Sequence, residues 1–554
     1  MKFHVLTICC FMTINTAALS QEGTPENSPV LSTMDIVNML IIEGVISEQK
    51  AQEMLQSITA DKVQDKIKAD KNNHLNETPL DAKVVRVPYV PKYIQNQIRD
   101  EVRLGLREDV AGDVIGQAKH ERWGVPDAFP AWVNKIKFKG DFRLRYQADL
   151  FADGNGDPQN IYLNAQAVND VGAIEADPSF FHNVTEDRHR LRARLRLAMD
   201  AKITEGTMVG MRISTGNLND PVSTNQSLGN SFEPYQLVLD RAFIKMESEV
   251  KDHTFIGGRM PNPYISTDLL WDKDLNFDGL VYKYRPLQSD DMFEEDRVFD
   301  AFLTVGAFPL EEVELSSDDK WLFGLQSGFN WAFNNQNKLD IVLSYYDYSN
   351  IEGERNEPES NLLDYTAPEL LATGNTLHNI SNSVANPNNV LLGLAADYNI
   401  VDLLIKYKFS NFSPVNVILT MNYVENIGYD QDEVLARAGG AGLLGIYYAA
   451  DEEAGAEKNT GYQFKVDVGW PTLNQRGNWR ASLAFKYLER DAVLDVYTDS
   501  DFRGGGTDVQ GYILQGDYAF DNNTWFSLKL ISADEIDGPP FGQDTIQFDL
   551  SANF

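Results

Sequence analysis

From residue 135 onward, apolar and polar side chains alternate with a period of two. Over 135–149, Ile136, Phe138, Phe142, Leu144 and Tyr146 share one face, while Lys135, Lys137, Lys139, Asp141, Arg143, Arg145 and Gln147 share the other. Residues 189–203 repeat the pattern: Leu191, Ala193, Leu195, Leu197, Met199, Ala201 and Ile203 alternate with Arg190, Arg192, Arg194, Arg196, Asp200 and Lys202. This period is the mark of a strand with one apolar face. Runs this long exceed the ~5–6 residues usual for strands of soluble proteins. The same reading predicts strands at 206–215, 235–247, 253–260, 277–285, 297–308, 320–331, 338–348, 393–409, 414–426, 460–470, 478–490, 511–520, 524–533 and 545–554, 16 in all. An even number brings both ends of a single-chain barrel to one side.

The connections between these strands alternate in length. They are long at 150–188, 216–234, 349–392 and 427–459, and short at 204–205, 248–252, 332–337, 410–413, 471–477 and 521–523, with 286–296 as the exception. A barrel crossing an outer membrane has short turns on one side and long loops on the other. A sandwich or solenoid has no reason for such alternation. Trp321 and Trp331, ten residues apart on one strand face, would stand roughly 25 Å apart along the membrane normal, the height of a barrel's apolar band. In the final strand Ile546, Phe548, Leu550, Ala552 and Phe554 alternate with Gln547, Asp549, Ser551 and Asn553, and Phe554 is the terminal residue. A chain end of that kind resembles the signal that bacterial barrel-assembly machinery reads.

Residues 21–134 differ. Thr33 can cap a helix bearing Ile36, Met39 and Leu40, and Ser47 a second bearing Ala51, Met54, Leu55 and Ile58. A polar linker follows, and Ile94, Ile98, Val102 and Leu106 then mark a narrow helical stripe, weak support for self-association. Residues 1–20 have the features of a secretory signal: Lys2, an apolar run, and Ala18-Leu19-Ser20 as a cleavage site. Both cysteines, Cys9 and Cys10, fall inside it, so the mature chain is expected to have no disulfide and no thiolate chemistry. The expected organisation is a signal peptide (1–20), a small α-helical N-terminal periplasmic extension (21–134) and an all-β transmembrane antiparallel barrel (135–554).

Composition narrows the partners. The 554 residues carry 48 Lys+Arg against 82 Asp+Glu, a formal charge of −34. So acidic a chain argues against nucleic acid as a partner, because phosphate binding needs a basic surface. Beyond residue 20 no apolar run approaches the ~18 residues a membrane helix needs.

Several segments carry a family resemblance. Val87-Pro88-Tyr89-Val90-Pro91, Trp123-Gly124-Val125-Pro126, Pro130-Ala131-Trp132 and Gly140-Asp141-Phe142-Arg143-Leu144-Arg145-Tyr146 resemble the putative porin family of Gram-negative outer membranes, as do 257–263 and 271–280. The resemblance implies a diffusion channel in the bacterial outer membrane, assembled as a homotrimer. Small hydrophilic solutes are the expected cargo, outer-membrane lipid and lipopolysaccharide the expected surroundings, and no cofactor is expected. It implies no particular solute.

With apolar positions facing lipid, the intervening ones face the lumen. Arg143, Arg145, Arg190, Arg192, Arg194 and Arg196 then form a basic ladder on adjacent strands, either a selectivity element or wall structure paired with loop carboxylates. The third outer loop offers Asp268, Asp272 and Asp274 as an acidic constriction; it is short, and 349–392 is the alternative plug. Acidic outer loops, such as 150–187 with no Lys or Arg, can hold divalent cations that bridge to lipopolysaccharide or can simply be solvated surface. Asp153, Asn155 and Asp157 begin like a calcium loop but lack its glycine and its closing glutamate. The runs at 439–442 and 504–506 read as flexible glycine tips. No nucleophile or phosphate-loop motif appears. The competing classes are a structural or adhesive barrel with a blocked lumen, and a barrel hydrolase with His253 as its base.

Overall fold

The computed structural model describes residues 135–156, 162–174, 177–249, 252–286, 299–314, 316–333, 337–386, 388–441, 457–537 and 540–554. The signal peptide, the helical extension and the stripe through Ile94 and Leu106 lie outside the described residues.

Sixteen antiparallel strands form the wall: β1 (Ile136–Phe151), β2 (Arg188–Lys202), β3 (Thr207–Thr215), β4 (Leu237–Glu247), β5 (His253–Pro261), β6 (Asn276–Tyr284), β7 (Phe299–Glu311), β8 (Lys320–Ala332), β9 (Asn337–Ser349), β10 (Asn399–Phe412), β11 (Val415–Asn426), β12 (Thr460–Gly469), β13 (Trp479–Leu488), β14 (Val509–Asp521), β15 (Thr524–Glu535) and β16 (Gln543–Asn553). Each pairs with its sequence neighbours, and β1 pairs with β16, from Asp141 opposite Asn553 to Phe151 opposite Gln543, so the sheet closes. Closure leaves no open edge, the condition for a sheet to cross lipid. The ladder runs to the last residue: Gly140 N–H donates to the Phe554 carbonyl at 2.7 Å, and Phe554 N–H donates to the Gly140 carbonyl at 2.9 Å. The Phe554 ring packs close over Gly140, where an added Cβ would lie 2.4 Å from it.

Burial is inverted relative to a soluble protein. On β1 the apolar Phe138, Phe142, Leu144 and Tyr146 are exposed, whereas Arg143, Arg145, Gln147 and Asp149 are buried. Phe323 and Leu325 on β8, Leu343 on β9 and Leu514 on β14 are exposed in the same way, with Gln326, Ser344 and Asp517 buried behind them. A soluble chain could not show water so continuous an apolar surface; a lipid-facing wall requires one. Aromatic rings gather at the short-turn end of this outer face. Trp331 packs on Phe333 and Phe333 on Tyr407, and Trp470 packs on Trp479. Their amphipathic rings suit a membrane interface.

The strand positions read from the alternation hold with one notable shift. The tenth strand starts at Asn399, not at 393, because Leu392–Leu394 pairs instead with Leu377–Asn379 in a small loop hairpin. Leu392, Leu394 and Tyr398 are all buried in the core beneath the loops, so their alternation belongs to loop packing and not to the wall.

Candidate functional site

The inner wall and three inward-folded loops compose the site. Loop L3 (262–275) leaves β5 at Pro261 and turns into the barrel at once. The Asn262 Oδ1 accepts the Tyr264 N–H at 2.9 Å, a local side-chain turn that sets the direction of entry. Tyr264 then lodges where the wall is made of glycine: a Cβ at Gly324 would sit 2.1 Å from its hydroxyl oxygen, and one at Gly306 2.5 Å. Next, Gln326 on β8 clamps the Ile265 backbone, its Oε1 accepting the Ile265 N–H and its Nε2 donating to the Ile265 carbonyl, both at 2.9 Å. Trp271 stands edge-on to Phe277 and Tyr346 at 5.1 and 5.4 Å between ring centres. Shortness therefore does not keep L3 from the lumen; it needs few residues because the wall supplies the docking points.

L3 carries all three predicted acids inward. Asp268 meets Lys486 of β13 at 3.3 Å and accepts from Gln463 of β12 at 3.0 Å. Burial acts to raise its carboxyl, but Lys486, Lys465 and Lys529 hold it well below the usual range. Asp274 meets Arg196 at 2.9 Å and Arg194 at 3.6 Å, and accepts from the Thr224 hydroxyl at 3.1 Å. Burial pushes its carboxyl up, and Arg194 and Arg196 overcome that to bring it down to about 2. Asp272 does something else: its two oxygens accept the backbone N–H groups of Asp274 and Ser500, at 2.7 and 2.8 Å, tying L3 to a second loop.

That second loop, L7 (489–508), is the component the sequence reading missed. Asp499 binds Lys486 at 2.8 Å, and Asp501 gathers Arg145 at 2.7 Å, Lys529 at 3.1 Å, Lys273 at 3.3 Å and the Gln547 amide at 3.0 Å. Burial would raise the Asp501 carboxyl, yet Lys529, Arg145 and Lys273 hold it well below its ordinary value. The signal was present in the sequence as Asp499-Ser500-Asp501, which puts two acids in alternate positions beside a glycine run. Gly504–Gly506 is correspondingly not a flexible tip. All three glycines have positive φ, between 81° and 98°, and a Cβ on Gly506 would lie 2.1 Å from the Thr373 carbonyl oxygen. It is a tight turn packed against the long segment 349–392. The run at 439–442 departs similarly, since Gly439 and Gly440 lie in the helix Gln431–Ala441. The segment 349–392 contributes Thr376, whose hydroxyl donates to Asp491 at 2.6 Å, and Asn375, whose amide donates to the Arg490 and Val493 carbonyls at 2.8 Å each. It roofs L7, while L3 and L7 meet the basic wall.

The ladder arginines face them. Cross-strand register sets Arg143 opposite Arg194 and Arg145 opposite Arg192. Arg145 binds Asp549 and Asp501, both at 2.7 Å. Arg194 and Arg196 share Asp141 and Asp274, and Arg190 pairs with Asp149. Arg143 donates to the Asn225 Oδ1 at 2.5 Å, with Asp549 at 3.9 Å. Among the described residues Arg192 reaches only the Gln147 amide oxygen, at 3.3 Å. Most of the ladder is thus paired with carboxylates, and two rungs are not closely paired.

Asp272 makes the L3–L7 contact sensitive to pH. Burial and the neighbouring Asp499 push its carboxyl from 3.8 up to about 7, with Lys273 opposing and Asp274 adding. A carboxyl raised in the docked loop favours docking while it keeps its proton, so docking is strongest near pH 4 and weakens as pH rises through 7. Channel current is expected to grow between about pH 5 and about pH 8 as the ionised Asp272 repels Asp499. Asp272→Asn should flatten that rise in bilayer recordings; an unchanged pH profile in the variant would refute the assignment.

The remaining candidates lie elsewhere. Asn155 spends its amide on pinning loops, donating to the Val184 and Gly542 carbonyls at 2.6 and 3.0 Å and accepting the Gly542 N–H at 2.8 Å. Asp153 is exposed, and Asp157 lies outside the described residues. Asn155 therefore serves as a loop joint, and no group of three metal-binding side chains occurs among the described residues. His253 stands on the lipid face at the short-turn end, its Nδ1 2.7 Å from the Tyr282 hydroxyl and its ring stacked on Tyr284 at 4.9 Å. Its Nε2 lies 3.3 Å from the Asp252 carboxylate, and among the described residues no serine hydroxyl contacts the ring.

A family model described as putative porin matches residues 31–554. No curated protein matches the chain. Among solved structures, the outer membrane channel DcaP of Acinetobacter baumannii is 12% identical with a TM-score of 0.35, covering 76% of this chain and 97% of that one. The high-pH structure of Pseudomonas putida OprB is 11% identical with a TM-score of 0.42, covering 78% and 97%. Salmonella typhi OmpF, in complex with daunomycin, is 10% identical with a TM-score of 0.38, covering 76% and 97%.

Proposed function

The chain belongs to the putative porin family of outer-membrane barrels, and from that premise we propose that it forms a water-filled channel for passive diffusion of small hydrophilic solutes. The observation that carries the reading is the inverted wall: apolar side chains outward along the long strands, with arginine, lysine, aspartate and amides among the residues turned inward. Charges on a lumenal face are retained because water or a counter-charge meets them there. L3 and L7 hold the acidic side of the constriction, and β1, β2, β13 and β15 the basic side. Liposomes containing the protein are expected to swell in small sugars at rates that fall with sugar size. Folded protein that gives no swelling with any sugar would sink the proposal.

A second reading, a barrel stopped by its own loops, is favoured by the burial of Asp272, Asp274 and Asp501 at 2%, 4% and 7% exposure. The same assay separates the two, since a stopped barrel swells only after L7 is released.

The trimer suggested by the family resemblance also finds support on the outer face. Arg259 and Asp278 pair there, opposite each other on β5 and β6. Both strands are only 9 residues long, so this ion pair cuts into the apolar band. A charged pair facing acyl chains is costly, and a neighbouring copy would cover it. Arg259→Glu sets like charges face to face and is expected to convert detergent-extracted oligomer to monomer, while Arg259→Leu with Asp278→Leu keeps the barrel folded. A wild-type protein that is monomeric in gentle detergent would contradict the trimer.

A further inference from the structure

The ladder is not neutralised evenly. Like charges directly opposite one another on antiparallel strands repel, so the facing pairs Arg143–Arg194 and Arg145–Arg192 require acids close by. Arg194 has two, and Arg145 has two. Those acids are shared: Asp141 and Asp274 also serve Arg196, and Asp501 also serves Lys273 and Lys529. Asp549 lies 3.9 Å from Arg143, its bonds at 2.7 and 2.9 Å going to Arg145. Among the described residues Arg192 has no carboxylate within ion-pair distance; its contact is the Gln147 amide. The neighbourhood of Arg143 and Arg192 therefore keeps an excess of positive charge.

The donors tell the same story. The Nε–H groups of Arg143, Arg190, Arg192 and Arg194 are buried and have no acceptor. Arg143 itself is 6% exposed. Buried donors without partners are uncommon and call for an acceptor that the chain does not supply. Four of them on two adjacent strands, backed by the Asn225 and Gln147 amides, describe a surface rich in forked donors and poor in acceptors. Guanidinium forks match the two oxygens of a carboxylate or phosphate group, and they retain charge at any working pH.

We propose that the wall around Arg143 and Arg192 is a binding station for small solutes bearing an oxyanion, a carboxylate or a phosphate, with Arg192 as the principal contact. The station rests on the channel reading and sharpens it: the pore would hold an oxyanion transiently on its way through. Binding at such a point raises the local concentration of the permeant species and slows its exit, so a bound oxyanion reduces the flow of other ions through the same passage.

The test uses the full-length protein in a planar bilayer bathed in potassium chloride, with acetate or inorganic phosphate added and glycerol as a neutral probe. Chloride current is expected to fall saturably with acetate, phosphate or both, and to ignore glycerol; which anion blocks at lower concentration identifies the preferred oxyanion. Arg192→Gln should weaken the block about tenfold or more, the loss of a charge-assisted pair of hydrogen bonds. Arg192→Lys, which keeps the charge without the fork and guards against a folding failure of the glutamine variant, should weaken it less. Arg480→Gln, at an inward arginine paired with Asp517 across β13 and β14 and outside the ladder strands, should leave the block unchanged. A conducting channel that neither anion blocks, or equal block in wild type and Arg192→Gln, overturns the station and leaves the channel standing. Folded protein that conducts nothing overturns the channel reading, and the station with it.

Discussion

Asp501→Asn is expected to release loop L7 and raise single-channel conductance, with selectivity moving toward anions. The side chain keeps its size and loses its charge. Lys529 and Lys273 then lose the carboxylate that pairs with each of them, while Arg145 keeps Asp549 alone. All of this happens where Asp501 is 7% exposed. Removing one partner from a buried ion pair costs about 3–5 kcal/mol, because the charge left behind is uncompensated. L7 is also held by Asp499 on Lys486, by the Thr460 hydroxyl on Glu489 and by the Asn426 amide on the Asp491 carbonyl, so a penalty of that size frees the 499–501 arm of the loop from the basic wall. The anion shift follows from charge: one acid leaves a passage whose wall is basic. Bilayer recordings of wild type and variant in a salt gradient read both effects together. Equal conductance and equal reversal potential would show that Asp501 neither holds L7 nor contributes to the field.

Gly324→Leu is expected to expel L3 by a different route. The new side chain must occupy the space that holds the Tyr264 hydroxyl, whose oxygen would stand 2.1 Å from the added Cβ. Tyr264 cannot yield toward β7, because Gly306 is the other half of the same notch. Overpacking of a filled site costs about 1–3 kcal/mol, and the displaced Tyr264 pulls on Ile265, held by both hydrogen bonds from Gln326. Loss of the arm would withdraw Asp274 from Arg194 and Arg196. The readouts are larger conductance and cleavage at Lys273 by trypsin added from the long-loop side, which the docked loop's place inside the barrel is expected to hinder. Continued protection with unchanged conductance would mean that the glycine notch does not hold L3.

How much of this could be read from the chain differs between wall and loops. Strand alternation is a local property, dictated by a medium that is apolar on one side and aqueous on the other, so Phe138 through Tyr146 and Leu191 through Ile203 declare their faces without tertiary information. The ladder arginines and the strand-ending Phe554 followed from the same rule. Loop placement is decided by contacts distant in sequence. Asp501 pairs with Arg145 across 356 positions, and Tyr264 finds its place only because Gly306 and Gly324 happen to be neighbours on the wall. Nothing within 489–508 reveals those partners. On length alone the short third loop reads as a doubtful constriction, yet its reach is set by the Asn262 turn and the Gln326 clamp. The glycine run at 504–506 reads as a flexible tip, since composition does not distinguish glycine used for freedom from glycine used for close approach.

The same distinction bears on the acidic composition. A charge of −34 with basic residues gathered on the inner wall means that the field in the passage differs from that of the molecule as a whole. Net charge speaks to solubility and encounter, whereas passage depends on the few groups that line the channel, in the proposed reading Arg192 and Arg143 against Asp274 and Asp501. That is why the central claim is electrical and is best tested electrically.

The most direct measurement is single-channel recording of the purified, folded protein in a planar lipid bilayer. The expected result is discrete conductance steps that scale with salt concentration, as a water-filled passage requires. Folded protein that inserts into the bilayer and yields no steps at any salt concentration would contradict the channel.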